Sequence, residues 1–266
     1  MSTDVAKSIA PSGVCDARPE SCADAEALRA RGYPIARWYL RPAAAWLTPR
    51  LARTPIRPVH LTLFGLAAAG AAAALLGRPG AGPISAVLVL VWMFCDRADG
   101  LLARWQRSTS AYGAWLDGNV DELVDVAVHA AVAAALAARA AAGWPWLLLA
   151  AFLSGKYLTM YGLHLEEAVA GCGRSPDRAT RPGGSSPGSL ERPAVAPSAG
   201  SGDPRRTSLL RALYHLPGNA DVRAHLLALA LATGYLTAEL VFVAVYYNLR
   251  WMARHLLLAR RLGGSR

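Results

Sequence analysis

The stretch that decides the fold is "CDRADGLLARWQRSTSAYGAWLDGNVDELVD", Cys95 to Asp125, which follows the uncharged apolar run from Ala86 to Phe94. Its aspartates stand at the ends of the most apolar segments of the chain: Asp96, Asp99, Asp117, Asp121 and Asp125. An aspartate at the centre of a membrane span costs about 2.5 to 3.5 kcal/mol, and less near the interface. This placement therefore indicates chemistry at a membrane boundary.

The composition favours an integral membrane protein. Of 266 residues, 54% are hydrophobic and 17% are charged, whereas soluble domains carry about a quarter charged residues. A span needs about 20 apolar residues, because a helix rises 1.5 Å per residue. Six apolar runs predict six transmembrane helices in an all-α, polytopic membrane protein. The runs are Val59 to Leu76, Pro83 to Phe94, Val120 to Ala142, Trp144 to Leu163, Ala224 to Leu236 and Glu239 to Trp251.

The net charge of +10 comes from arginines concentrated in particular segments. The basic residues are not interleaved with aromatic residues on a soluble domain, so a nucleic-acid partner is not expected. Arginines crowd residues 29–57, 97–107, 174–211 and 250–266, and the other short connections hold few. The positive-inside rule assigns the crowded segments to the cytoplasm. We therefore expect a multi-pass protein of the inner (cytoplasmic) membrane, with both termini and the acidic stretch on the cytoplasmic side.

Composition also divides the chain into segments. Residues 1–32 are predicted to be a disordered leader. Residues 33–57 mix Trp, Tyr and Leu with Arg, which is typical of an amphipathic helix in the headgroup interface. Residues 58–260 form the predicted six-helix domain. Within it, residues 171–206 are rich in Pro, Gly and Ser and are expected to form a flexible cytoplasmic loop.

The spacing of the aspartates predicts a metal site. Asp96 and Asp99 are three residues apart, and Asp117 and Asp121 four apart, so a helix places each pair on one face. If two adjacent helices meet between the pairs, four carboxylates converge at the cytoplasmic boundary. They cannot all ionise without a compensating charge. Hard oxygen ligands without nearby His or Cys favour Mg²⁺ or Mn²⁺.

Residues between the pairs favour a phosphate-bearing substrate. Gly100 and Gly113 lack side chains, so a ligand can approach the backbone closely beside each pair. The planar fork of Arg104 suits phosphate oxygens.

These positions together resemble a known signature. Asp96, Asp99, Gly100, Ala103, Arg104, Gly113, Asp117 and Asp121 fill D-x2-D-G-x2-A-R-x8-G-x3-D-x3-D, which looks like the motif of the CDP-alcohol phosphatidyltransferase family (class I), with bacterial phospholipid synthases among the proteins it resembles. Residues 33–260 can be laid on the family's plan of an interfacial helix followed by six spans. Many members begin the first span with Pro-Asn-x-x-Thr; this chain has Pro58 and Thr62, with Val59 in the Asn position.

The resemblance implies an enzyme that transfers a phosphate-linked group from a CDP-alcohol to the hydroxyl of a second alcohol and releases CMP. It implies a homodimer and two Mg²⁺ or Mn²⁺ ions held by Asp96, Asp99, Asp117 and Asp121. Asp121 is expected to be the general base. The residues expected to bind the CDP group are Thr62, Asp99, Gly100, Ala103, Arg104 and Gly113.

The acceptor site is predicted from isolated cations. Lys156 lies inside an apolar segment, where a charge marks function by default; pairing with a carboxylate is the alternative. Arg223 and Arg250 lie at the cytoplasmic ends of the last two spans and are candidates for an anionic acceptor, with the positive-inside pattern as the alternative explanation. Asp125 and His129 extend the face of Asp121, and a structural hydrogen-bond network is the favoured interpretation for both.

Two alternatives remain open. The motif recognises the CDP half of the reaction, so CDP-diacylglycerol with a small alcohol acceptor is not separated from transfer of a CDP-linked headgroup to a lipid alcohol. A cation-dependent transporter is less favoured. Transport sites lie near the membrane midplane on interrupted helices, whereas these carboxylates gather at one boundary.

Overall fold

The structure is a computed structural model that describes residues 34–172, Leu216 and residues 218–263. The described residues are all-helical and contain no strand, as the composition predicts. After a short 3-10 turn at Ala36–Trp38, the α-helices are α1 (Leu40–Leu51), α2 (Pro58–Leu75), α3 (Gly82–Trp105), α4 (Ala111–Ala140), α5 (Trp144–Cys172), α6 (Ala220–Thr233) and α7 (Leu236–Gly263). The predicted leader and residues 173–206 of the predicted loop lie outside the described residues.

Helices α2 to α7 occupy the six apolar segments, but their membrane topology is supported only in part. Two described helices are long and apolar enough to cross a membrane, Pro58–Leu75 and Ala111–Ala140. Helix α6 has only 14 residues, fewer than the roughly 20 that a straight span needs. Helix α3 carries the charges of the acidic motif. The two apolar helices suggest a membrane protein, and the six-span arrangement stays a prediction.

Local sequence signals set the helix ends near the acidic motif. Helix α2 begins at Pro58, whose fixed φ and missing N–H suit a first helical position. Ser110 caps α4, because its hydroxyl accepts a hydrogen bond from the Gly113 N–H at 3.0 Å. Between α3 and α4, Arg107 adopts a left-handed conformation with φ 51°, which helps to reverse the chain in a short connection. The reversal brings the two halves of the motif together.

Helix α3 lies at the centre of the bundle. It packs against α1, α2 and α6, while α2 also contacts α4, and α5 contacts α4 and α7. The core is aliphatic and aromatic, with Met93, Leu102, Phe152 and Leu240 among its buried side chains. The acidic end of α3 is therefore held between helices on several sides, which fixes the position of its carboxylates.

Helix α1 lies within the predicted interfacial segment. It buries Leu40, Ala44 and Thr48, spaced four residues apart on one face. On the exposed surface, Trp46 is 64% accessible and the Arg50 guanidinium lies 3.7 Å from its ring centroid. An apolar ring next to a cation suits the headgroup region, so the interfacial position stays a prediction that this arrangement supports.

The turn before α1 is fastened to the start of α6. The fully buried Asp221 carboxylate accepts hydrogen bonds from the backbone N–H groups of Ile35, at 2.8 Å, and Ala36, at 3.1 Å. His225 Nδ1 donates to the Asp221 carbonyl, which leaves Nε2 to accept from the Tyr39 hydroxyl at 2.6 Å. Burial and the nearby Asp221 charge raise the pKa of Tyr39. The tyrosine therefore remains protonated and can serve as this donor.

Candidate active site

The acidic residues of the motif converge where α3 ends and α4 begins. Asp96, Asp99 and Asp117 each offer a carboxylate oxygen, and these oxygens all lie within 4.8 Å of one another. Asp121, one turn after Asp117, lines the same narrow space. The structure thus brings together all four residues that the sequence predicts as metal ligands.

These four aspartates form the carboxylate cluster. Asp99 is its most buried member, with 5% of its surface accessible. Its Oδ2 accepts a 2.6 Å hydrogen bond from the hydroxyl of Thr62 on α2. A charge-assisted bond of this length fixes the orientation of the carboxylate. Thr62, predicted as a contact to the CDP group, therefore also positions a candidate metal ligand.

The carboxylate cluster fits a divalent cation. Two unit charges 4.8 Å apart repel each other by about 3 kcal/mol at an effective dielectric constant near 20. Within the cluster, Asp96 is ion-paired with Arg97, and one arginine does not balance four carboxylates. A set of carboxylate oxygens is the ligand chemistry that Mg²⁺ and Mn²⁺ prefer. The residues present are therefore able to hold a metal ion.

A cavity of about 560 Å³ opens beside Asp99 and Asp117. Its wall contains all the residues predicted to bind the CDP group, namely Thr62, Asp99, Gly100, Ala103, Arg104 and Gly113. Val59 lines the cavity at the position where many family members have Asn, so it contributes an apolar surface there. The size and the mixed lining suit a small-molecule site.

Several cavity residues were not singled out from the sequence. Arg57 adds a second guanidinium, and the α3–α4 connection contributes the hydroxyl-bearing residues Ser108, Thr109 and Ser110. Gln106 fastens this connection, since its side-chain amide donates to the Ile56 carbonyl at 3.0 Å. The signal available in the sequence was the Ser-Thr-Ser run between the two halves of the motif, which supplies hydroxyl donors near a phosphate.

A second, smaller cavity of about 110 Å³ lies on another side of the carboxylates. Its charged lining residues are Asp96, Arg97, Asp117 and Asp121, and Ala220 and Ala224 face it from α6. Asp117 lines both cavities. The carboxylate cluster therefore stands between two spaces of different size.

Two of the predicted acceptor residues meet at Asp125, one turn after Asp121. Lys156 is ion-paired with Asp125 and, at 2.7 Å, with Glu122. Arg223 holds Asp125 through two nitrogens, with Nη2 at 2.5 Å and Nε at 3.3 Å, and also donates to the Tyr247 hydroxyl. Asp125 is thus a buried counter-ion shared by two cations.

Arg250 and His129 lie in other surroundings. Arg250 donates to the Tyr246 hydroxyl at 3.1 Å and approaches Gly218 so closely that a Cβ there would overlap the guanidinium. The fully buried His129 bonds through Nδ1 to the Asp125 carbonyl and through Nε2 to Glu239 at 3.2 Å. His129 therefore links α4 to α7, which agrees with the structural interpretation favoured for it.

The clustered carboxylates are able to hold a divalent metal, and the arginines of the adjoining cavity suit a phosphate-bearing substrate. The sequence model of the CDP-alcohol phosphatidyltransferase family matches residues 56–171, which include every position of the motif. The resemblance to this family of transferases, which the motif indicates, is therefore confirmed over these residues. No curated protein gives a significant match to the chain.

Proposed function

We propose that the protein is an integral membrane transferase of phospholipid biosynthesis. It moves a phosphatidyl group from CDP-diacylglycerol to the hydroxyl of a small alcohol and releases CMP. One observation carries this proposal. The carboxylate cluster borders a cavity whose wall contains all the residues expected to bind CDP. The match to the family model supports transfer from a CDP-alcohol. The motif does not distinguish the two donors, and the lipid-linked donor is proposed from the membrane setting of the site.

Asp96, Asp99, Asp117 and Asp121 would together hold two Mg²⁺ or Mn²⁺ ions. Bound metal supplies charge neutralisation at the diphosphate and at the leaving CMP. Thr62 holds Asp99 in place, while Arg57 and Arg104 in the cavity wall offer guanidinium groups to the diphosphate oxygens.

Asp121 is proposed as the general base. It takes the proton from the acceptor hydroxyl while the hydroxyl oxygen attacks the phosphorus that carries diacylglycerol. The bond between that phosphorus and the oxygen of CMP breaks, and CMP leaves with the electron pair. Base catalysis of this kind contributes about 10²- to 10⁴-fold in rate. The place of Asp121 in the wall of the smaller cavity supports contact with the acceptor rather than with the nucleotide.

We further propose that helices α2 to α7 cross the inner (cytoplasmic) membrane as a six-span bundle and that the protein acts as a homodimer. The carboxylate cluster and both termini would face the cytoplasm. The concentration of arginines around the motif and at the end of α7 supports this orientation. The exposed Trp46 and Arg50 on α1 support contact with the headgroups.

The test is CMP release by the purified protein in detergent. CDP-diacylglycerol with Mg²⁺ or Mn²⁺ is offered to a panel of alcohol acceptors, and a second arm offers a CDP-linked headgroup to diacylglycerol. We expect CMP in the first arm; CMP in the second arm alone would assign headgroup transfer instead. Asp121→Asn should abolish turnover while CDP still binds. Glu166→Gln is the control, because Glu166 pairs with Arg254 outside both cavities.

A further inference from the structure

A groove lies between α6 and α7, away from the carboxylate cluster. Its volume is about 330 Å³, within the range of about 300 to 1,000 Å³ that small-molecule sites occupy. Its wall is apolar apart from Thr233, Tyr235 and Glu239. The smaller cavity beside the aspartates is lined instead by Ala220, at the other end of α6. The groove and the candidate active site are therefore separate spaces.

The groove contains a buried carboxylate oxygen that lacks a partner. Glu239 is the one carboxylate among the described lining residues, and none of them is basic. It is 6% exposed. Its Oε1 lies 3.2 Å from Nε2 of His129, while its Oε2 is buried and has no hydrogen-bond partner among the described residues. Buried polar atoms are nearly always hydrogen-bonded, so the unpartnered Oε2 in the groove wall points to a ligand.

The hydrogen bonds of His129 determine what Oε2 requires. Nδ1 of His129 lies 2.7 Å from the Asp125 backbone carbonyl, and a carbonyl only accepts, so Nδ1 carries a proton. The hydrogen bond between Nε2 and Oε1 contains one further proton, which belongs to one atom or the other. In both cases the pair of His129 and Glu239 is neutral as a whole, and Oε2 carries no proton. Oε2 therefore requires a hydrogen-bond donor.

Charge selects among the donors that could occupy the groove. A cationic amine would bring an unbalanced charge to a pair that is already neutral, and burial of such a charge is strongly unfavourable. A phosphate headgroup would meet no basic side chain among the described lining residues. An uncharged hydroxyl donates to Oε2 and adds no charge. The apolar part of the wall suits a hydrocarbon chain, which gains dispersion contacts there.

We propose that the groove between α6 and α7 binds an uncharged lipid alcohol. Its hydroxyl donates to Oε2 of Glu239, and the first part of its hydrocarbon chain packs against the exposed side chains of Leu229 and Phe242. His129, which holds Glu239, lies eight residues after Asp121 on α4, or about 12 Å along the helix. The bound alcohol is therefore not the acceptor of the proposed transfer. The inference goes beyond the transferase reaction and shares with it only the membrane setting.

The experiment uses photolabelling of the full chain in phosphatidylcholine nanodiscs. One probe is a diacylglycerol with a diazirine in its acyl chain, and the matched probe has the same chains and an acetylated hydroxyl. Mass spectrometry of peptides locates the label. We expect the free alcohol to label residues 226–242 about fivefold more than the acetylated probe, the ratio that one net hydrogen bond gives. Equal labelling overturns the inference, as do cross-links between two copies through this segment in place of lipid label.

A variant that fills the groove tests its occupancy. Ala238 lines the groove and is exposed, so Ala238→Trp should fold and should lower labelling by the free alcohol at least fivefold. Ala232→Trp is the matched control, because Ala232 is exposed on the same hairpin and does not line the groove; its labelling should not change. Undiminished labelling of Ala238→Trp overturns the inference. CMP release should be the same in both variants, so failure of the transferase proposal is seen separately.

Two variants of Glu239 test the hydrogen bond. In Glu239→Gln the amide nitrogen can donate to Nε2 of His129 while the amide oxygen replaces Oε2, so the preference for the free alcohol over the acetylated probe should persist. Glu239→Leu removes the acceptor, and the two probes should then label equally. A preference that persists in Glu239→Leu, or that is lost in Glu239→Gln, overturns the assignment of Glu239 as the acceptor.

Discussion

Replacement of Thr62 by valine tests whether its hydroxyl positions a metal ligand. The hydroxyl donates to the buried Asp99 carboxylate at 2.6 Å, and Thr62 itself is 8% exposed. Valine keeps the shape and removes the donor. A hydrogen bond to a charged group is worth about 1.5 to 3 kcal/mol, and about 1.4 kcal/mol corresponds to tenfold. Thr62→Val should therefore weaken Mn²⁺ binding about 10- to 100-fold, the range that outer-shell ligand partners usually show.

Two measurements follow this change. In a Mn²⁺ titration of the detergent-solubilised protein, electron paramagnetic resonance measures the free Mn²⁺ and so gives the affinity directly. The Mn²⁺ dependence of CMP release gives the apparent affinity during turnover. The matched control is Thr159→Val, since Thr159 is also buried in a helix and donates to the Gly155 carbonyl at 2.8 Å, away from the carboxylate cluster. If Thr62→Val binds Mn²⁺ within twofold of the unmodified protein, Thr62 does not position the metal ligand.

Three further predictions concern packing and buried charge, each checked by thermal unfolding in detergent. Gly155→Ala should lower the free energy of unfolding by about 1 to 3 kcal/mol, because a Cβ there would lie 2.9 Å from a backbone nitrogen of α7. Gly70→Ala is the control, since the Cβ there meets open space and should not destabilise the protein. Equal losses of stability in the two variants would contradict this reasoning. Asp221→Ala should cost about 1 to 3 kcal/mol by leaving the N–H groups of the N-terminal turn without their acceptor, and an unchanged midpoint would count against it. Asp125→Asn should lower the free energy of unfolding by about 3 to 5 kcal/mol, since the buried cations Lys156 and Arg223 lose their counter-ion. Adding Lys156→Met should recover part of this loss of stability, and no recovery would argue against the pairing.

The sequence predicted the carboxylate cluster because the spacing that brings these aspartates together is local in the chain. Asp96 and Asp99 share a helix face by their spacing, as do Asp117 and Asp121, and a short connection forces the two helices to be neighbours. Helical periodicity alone therefore limits where the carboxylates lie, and the structure brings them together. The cavity beside them follows from the same junction, since Gly100 and Gly113 both line it.

The long-range partners could not be predicted in this way. Arg223 reaches Asp125 across 98 positions of sequence, and Thr62 reaches Asp99 across 37. No periodicity in a single sequence links such residues, because their contact depends on how the helices are arranged in the bundle. For the same reason the sequence showed Lys156 and Arg223 as isolated cations and did not show the carboxylates that accompany them.

The charges around the carboxylate cluster also bear on how the proposed transferase would orient its two substrates. Both reactants must approach the carboxylate cluster, and a surplus of cations on each side would let the phosphate-bearing donor bind in either orientation. In this structure Arg57 and Arg104 line the larger cavity, while Lys156 and Arg223 are already paired with Glu122 and Asp125. The donor diphosphate is expected on the side of the larger cavity, because the arginines there add their charge to that of any metal held by the shared carboxylates. If Asp121 is the base, the arginines of the larger cavity would therefore orient the donor and leave the side of the cluster that Asp121 lines to the acceptor hydroxyl.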